Sequence, residues 1–162
     1  MPTINGRACV VNGTPVDKVF SDGKQVYGRN LVLGTSTKVV EANYWNMKIA
    51  DIKYDKSLGE HLCASLMINN ADHASVLLRG SAQLNLQTLD KSGNILAKAS
   101  GNYVVYNANG LSQCSISIDD NTADVQAYSW TNNMNWNTFY SCLKIERGTV
   151  PTPWSPAPED VM

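Results

Sequence analysis

The chain has 162 residues, 43% of them apolar and only 17% charged, with 13 Lys and Arg against 14 Asp and Glu for a net charge of −1. That length suits one domain with a sizeable core, and the composition is too apolar for a disordered chain. The balanced charge leaves no basic stripe to follow a phosphate backbone. With no apolar run near membrane-spanning length and no sign of a signal peptide, neither nucleic acid nor membrane insertion is expected.

Helical periodicity is missing nearly everywhere, whereas period-two alternation recurs between turn signals about ten residues apart, the pattern of a sandwich or barrel. Ala8–Val11, Val16–Phe20 and Gln25–Tyr27, turned at Asn12-Gly13 and Asp22-Gly23, predict a small β-meander. The main domain is predicted to start at Arg29-Asn30-Leu31. In His61–Asn69, Leu62, Ala64, Leu66 and Ile68 share one face; in Ser81–Thr88, Leu84 and Leu86 point inward and Gln83, Asn85 and Gln87 outward. After the turn at Lys91–Asn94, further strands are predicted at Gly101–Tyr106, Ser112–Ile118, Ala123–Trp130 and Thr138–Glu146, the last offering Phe139, Leu143 and Ile145 to the core. Pro151, Pro153, Pro156 and Pro158 crowd the C-terminal stretch, which is therefore a covering tail or an exit and not an interior strand, with Trp154 pinning it to the sandwich. The sum is an all-β chain of roughly eight strands: a two-sheet antiparallel β-sandwich, jelly-roll-like, with a short N-terminal β-meander. The expected organisation is a leader over 1–28, the sandwich over 29–150 and the proline-rich tail over 151–162.

Cys9, Cys63, Cys114 and Cys142 lie far apart, without C-x-x-C or a paired histidine, so neither a zinc site nor a disulfide framework is indicated. They read as small buried or half-buried thiols. The search for catalytic patterns returns no G-x-S-x-G, P-loop or H-E-x-x-H, and His61 and His73 lack a recognisable nucleophile. Asp119-Asp120 before Asn121 reads as a turn. A structural calcium there would need a spaced carboxylate loop that the sequence lacks, so no cofactor and no enzymatic activity are expected.

The informative stretch runs from Asp124 to Tyr140. Val125 and Ala127 fix the buried face, which places Gln126, Tyr128 and Trp130 on the other by parity. Asn132, Asn133 and Asn135 surround Trp136 in the following loop, and Tyr140 has the outward parity of the next strand. Aromatic rings stack on the apolar faces of pyranoses, and planar amides offer both donor and acceptor to hydroxyls, so these eight residues form the candidate carbohydrate site. Trp130 fits a core role as well as a binding one, whereas Trp136, in a polar loop, reads as a contact residue. Trp45 shares a parity with Met47 and Ile49 and is expected in the core.

Two segments carry a family resemblance. Val26-Tyr27-Gly28-Arg29-Asn30-Leu31 resembles the opening, and Leu143-Lys144-Ile145-Glu146-Arg147-Gly148-Thr149 with Thr152-Pro153-Trp154-Ser155-Pro156-Ala157-Pro158-Glu159-Asp160 the close ("LKLEKG…TPWSPAPED"), of carbohydrate-binding-module-like domains in tail proteins of phages and prophages of Gram-positive bacteria. The leader Val11–Val16 and Ser21–Lys24 is similar to one that precedes such domains. The resemblance implies a jelly roll in a distal tail, baseplate or adhesion protein that binds host cell-wall polysaccharide during adsorption, with other tail proteins as partners. It also implies residence in the virion tail after assembly in a reducing cytoplasm, where unpaired cysteines persist. Its motifs mark the edges of the domain and assign no ligand residue. The alternative is a structural spacer or assembly domain of the tail that contacts only protein and buries both Trp130 and Trp136.

Overall fold

The computed structural model describes residues 9–73, 79–134 and 137–161. It begins with two separate hairpins, β1 (Val10–Val11) with β2 (Thr14–Pro15) and β3 (Lys18–Ser21) with β4 (Lys24–Gly28). Both turns use the anticipated dipeptides: Asn12 and Gly13 take φ of 50° and 77°, Asp22 and Gly23 of 50° and 75°, the doubly positive pair that tight hairpins need. The predicted meander is corrected on one point, because the middle strand does not run through from Val16. The ladder ends with Val16 N donating to the Cys9 carbonyl (3.0 Å), and Asp17 is then drawn off by Arg29 and Arg147.

Nine further strands form the sandwich: β5 (Val40–Ala42), β6 (Asn46–Lys53), β7 (His61–Asn69), β8 (Ser81–Leu89), β9 (Ile95–Ser100), β10 (Val104–Val105), β11 (Asn109–Ser117), β12 (Asp124–Asn132) and β13 (Thr138–Arg147). One sheet has the order β10-β8-β12-β6 with β9 also beside β8; the other has β11-β7-β13-β5. Since β9 and β10 flank the same edge of β8, they act as one interrupted strand. Then β5 pairs with β13, β6 with β12, β7 with β11, and β8 with β9 and β10. This is one long antiparallel ribbon folded at its middle and wrapped across two sheets, the jelly-roll connection. Strand Ile95–Ser100 escapes the sequence pattern because its inward residues are only Ala97 and Ala99, and of the predicted Gly101–Tyr106 strand only Val104–Val105 pairs.

The core lies between the sheets, where Leu62, Leu66 and Ile68 of β7 meet Leu84 and Leu86 of β8, Val125 and Ala127 of β12, and Leu143 and Ile145 of β13. Strand β7 is covered on both sides, with Cys63 and Ser65 buried as well. All four cysteines are free, Cys9 and Cys63 buried and Cys114 and Cys142 half-buried.

The outer face of the four-stranded sheet is covered at its centre by both chain ends. Lys144 and Glu146 point away from the core yet are fully buried, 3.7 Å apart. Burial pulls the Lys144 ammonium below its usual range, against the carboxylate of Glu146. Lys144 Nζ donates to Thr152 Oγ1 (2.9 Å) and to the Pro153 carbonyl (2.8 Å), and lies over the Tyr27 ring at 5.4 Å. Glu146 accepts the Thr152 N–H and hydroxyl. Asn30, 1% exposed, donates to the carbonyls of Leu143 and Ser155 and accepts from Ile145 N. Trp154 Nε1 donates to Thr35 Oγ1 (3.3 Å), and Arg29 pairs with Glu159. The tail thus covers the sandwich and Trp154 helps to fasten it.

Candidate functional site

The other sheet presents an open outer face, organised by β12. Val125, Ala127, Ser129 and Thr131 are buried, while Gln126, Tyr128 and Trp130 alternate with them at intermediate exposure. The pairing registers set these residues in cross-strand rows. Asn46, Trp130 and Gln83 are level; Lys48, Tyr128, Asn85 and Ser100 form the next row; Asp51, Gln126, Gln87 and Lys98 the third. Rows are about 7 Å apart and strands about 4.8 Å. A bulge in β6, where Ala127 faces Ala50 and Tyr128 faces Lys48, leaves Ile49 unpaired and lets both Lys48 and Asp51 face outward while Ile49 and Ile52 pack on the core.

The third row is wired to the second. Lys48 Nζ and Gln126 Nε2 each reach Asp51 Oδ2 at 2.9 Å. Gln87 Nε2 donates to Gln126 Oε1 (3.0 Å) and to the Tyr128 hydroxyl (3.1 Å), which in turn donates to Gln126 Oε1 (2.8 Å). Partial burial raises the Asp51 carboxyl, but the hydrogen bonds from Lys48 and Gln126 outweigh it and hold the group below the usual carboxylate range. The network orients the Gln126 and Gln87 amides before any ligand arrives.

Beside it stands an aromatic ledge. Trp130 meets Trp45 edge to face, centroids 4.9 Å apart at 77°, and Tyr44 continues the cluster at 5.9 Å. Trp45 is 51% exposed and Tyr44 58%, which corrects the expectation that Trp45 belongs to the core. Residue 45 precedes β6, its carbonyl held by Thr131 N and Oγ1, and its ring turns onto Trp130 instead of following the parity of Met47 and Ile49, which lie within the strand. Between ledge and network lies a shallow groove lined by Asn46, Asn85, Gln87, Lys98, Ser100, Tyr128 and Trp130. It holds only about 70 Å³, too little to enclose a sugar ring.

Of the predicted site residues, the fold brings Gln126, Tyr128 and Trp130 together. Asn132 and Asn133 are exposed at and beyond the end of β12, Asn133 in the left-handed region at φ 55°. Asn135 and Trp136 lie outside the described residues. Tyr140 does not join the site. It stands on β13 in the opposite sheet, packed against the core, where burial raises its hydroxyl above the usual tyrosine range. Two features defeated the parity reading: consecutive strands of a jelly roll alternate between sheets, and a bulge at Cys142 (φ 55°) switches faces between Tyr140 and Leu143. Tyr140 instead lines a separate pocket of about 130 Å³ with Ser36, Lys38, Val40 and Cys142.

The sequence reading missed Trp45, just before β6, and Asn46, Lys48, Asp51 and Lys98, which come from β6 and β9 and join β12 only through register. Asn85 and Gln87 had the right outward parity without being assigned. The carboxylates of this sheet are engaged, Asp51 by Lys48 and Asp124 by Lys53. Among the described residues no three His, Cys, Asp or Glu side chains gather to hold a metal. Asp119 caps its own turn, accepting from Asn121 N (2.8 Å) and Asn121 Nδ2 (2.9 Å).

No protein-family model and no curated protein matches the chain. Among solved structures it is similar to a chain in the structure of infectious bursal disease virus, Gx strain, at a TM-score of 0.49 and 10% identity, over 90% of this chain and 40% of that one. This chain therefore spans less than half the length of that neighbour. The class that the topology itself defines is an all-β antiparallel sandwich with jelly-roll connections.

Proposed function

We propose that the chain is a non-catalytic carbohydrate-binding module of a phage tail protein, holding host cell-wall polysaccharide during adsorption. The observation that carries this reading is the exposed Tyr44–Trp45–Trp130 ledge set beside the prearranged Gln126, Gln87 and Tyr128 groups. A ledge of rings suits the apolar face of a pyranose, and amides already fixed in place lose little entropy when they meet its hydroxyls. The leader and tail occupy the other sheet's outer face, which leaves this one for a ligand. Placement in a tail, with other tail proteins as partners, rests on the opening and closing motifs. A pure spacer has no use for a half-exposed Trp45, so binding is favoured over that alternative.

Affinity at one site is expected in the millimolar to micromolar range, about −4 to −8 kcal/mol, with useful adhesion arising from many copies. A fluorescent fusion should decorate Gram-positive cells of a susceptible strain, and purified wall polysaccharide should compete it off and shift the tryptophan emission. Folded protein that labels no strain across a broad panel and leaves the emission unchanged with every polysaccharide overturns the proposal.

A further inference from the structure

The charges around the groove are unequal, and this bears on which saccharide it takes. Asp51 is committed to Lys48 and Gln126, and Asp124, one row beyond, to Lys53 at 2.5 Å. No carboxylate lines the groove; besides Lys98 its lining groups are amides, the Ser100 and Tyr128 hydroxyls, rings and aliphatic carbons. Lys98 does line it, from β9 directly opposite Gln87, and it forms no ion pair among the described residues. Lys98 therefore stands at the far end of the groove from Trp130, two strands and two rows away across β8, roughly 17 Å between backbones.

Building on the carbohydrate reading, we propose that the groove takes a saccharide bearing an anionic substituent. One ring lies on Trp130 and Trp45, the chain crosses the strands past Tyr128 and Asn85, and the substituent meets the Lys98 ammonium. The chemistry requires a negative charge two strand spacings and two rows, roughly 17 Å, from the stacked ring. A sugar carboxylate and a phosphodiester both satisfy it. A neutral glycan would leave Lys98 hydrated and gain nothing from it, whereas an anionic one makes a charge-assisted hydrogen bond on a surface where no carboxylate competes.

The test uses wall polysaccharides from several Gram-positive strains, each separated by anion exchange into neutral and acidic pools and titrated against the wild type, Lys98→Gln and Lys98→Arg. The wild type is expected to bind an acidic pool about tenfold tighter than the neutral pool of the same strain at low salt, the scale of one hydrogen bond to a charged group. That advantage should shrink towards physiological salt, where the screening length is about 8 Å. Lys98→Gln should lose it while keeping its affinity for the neutral pool, and Lys98→Arg should retain it. Carboxyl reduction and hydrofluoric-acid cleavage of the acidic pool separate the two sources: whichever treatment abolishes the advantage names the group. Because Lys98 is exposed, an unchanged melting curve is expected for both variants. Equal binding of both pools by the wild type, or an unchanged preference in Lys98→Gln, overturns the proposal while leaving the carbohydrate reading standing. Binding of neither pool by folded wild type removes both.

Discussion

Replacing Trp130 with alanine separates a binding platform from a core residue. Its ring is outside the buried cluster, on the outer face of β12, so truncation opens no cavity between the sheets. What is lost can be summed. The edge-to-face contact with Trp45 is worth about 0.5–1.5 kcal/mol, and cross-strand contacts with Gln83 and Asn46 roughly 0.2–1 kcal/mol, so stability should fall by about 1–2 kcal/mol. For a chain of this size that lowers the melting temperature by roughly 2–8 °C. A tryptophan packed in the core would cost about 3–5 kcal/mol instead. Binding should suffer more than folding does, by about 2 kcal/mol or thirtyfold, the scale of a central aromatic contact. The assay pairs a thermal melt followed by circular dichroism with titration of a wall polysaccharide that the wild type binds. Trp130→Phe, which keeps a smaller ring in place, should lie between the two. An affinity within threefold of wild type in the folded alanine variant would refute the reasoning, as would a melting temperature depressed beyond about 12 °C.

Three further outcomes follow from the geometry. A methyl group at Gly28 would lie 1.5 Å from Glu146 Oε2, so Gly28→Ala must expel the buried carboxylate from its place; a loss of at least about 3 kcal/mol is expected, and a melt within two degrees or so of wild type would refute it. The folded pKa of Asp51 is depressed, so the network that holds Gln126 is present above the ordinary carboxylate range near 4 and is lost as pH falls through the lower folded value; polysaccharide affinity should stay flat from neutrality to about pH 5, and a decline beginning above that would count against the site. Burial pushes the Cys63 and Cys114 thiols up to about 12, so at pH 8 a disulfide reagent should modify neither until denaturant is added, as mass mapping of the labelled peptides would show.

How much was legible in the sequence depends on what each signal reports. Period-two alternation reports one strand at a time, and it placed His61–Asn69 to the residue and the outward trio Gln126, Tyr128 and Trp130 on one face. It carries no information about which strand lies alongside. That is why Asp51, Lys48 and Lys98, which reach the site only by pairing, were invisible, and why Tyr140, nearest in sequence, went wrongly to the site. Bulges did the rest: one extra residue at Ile49 and one at Cys142 each reversed a parity that the alternation could not see changing. The dipeptides Asn12-Gly13 and Asp22-Gly23 were read correctly because a turn's requirement for positive φ is local.

The division between the two outer faces explains why the segments at the domain's edges serve its architecture: they close one face and line no part of the groove on the other. A buried ion pair contributes little net stability against its desolvation cost, so Lys144 and Glu146 are better understood through what they demand of the tail. The Thr152 hydroxyl donates to Glu146 and accepts from both Gly28 N and Lys144 Nζ, using its whole hydrogen-bonding capacity. Shifting the tail by one residue would strip both buried charges of their hydrogen bonds to Thr152 and Pro153 and leave the Gly28 amide without a partner, a penalty of several kcal/mol that no apolar packing would impose. One register of tail on sheet is thereby selected, with Asn30 fixing it again through Ser155. The consequence reaches across the sandwich. With the centre of one outer face closed by a segment that cannot slide, the proposed carbohydrate site falls to the sheet built around β12, whose Gln, Tyr and Trp side chains can be changed without disturbing the latch on the other side.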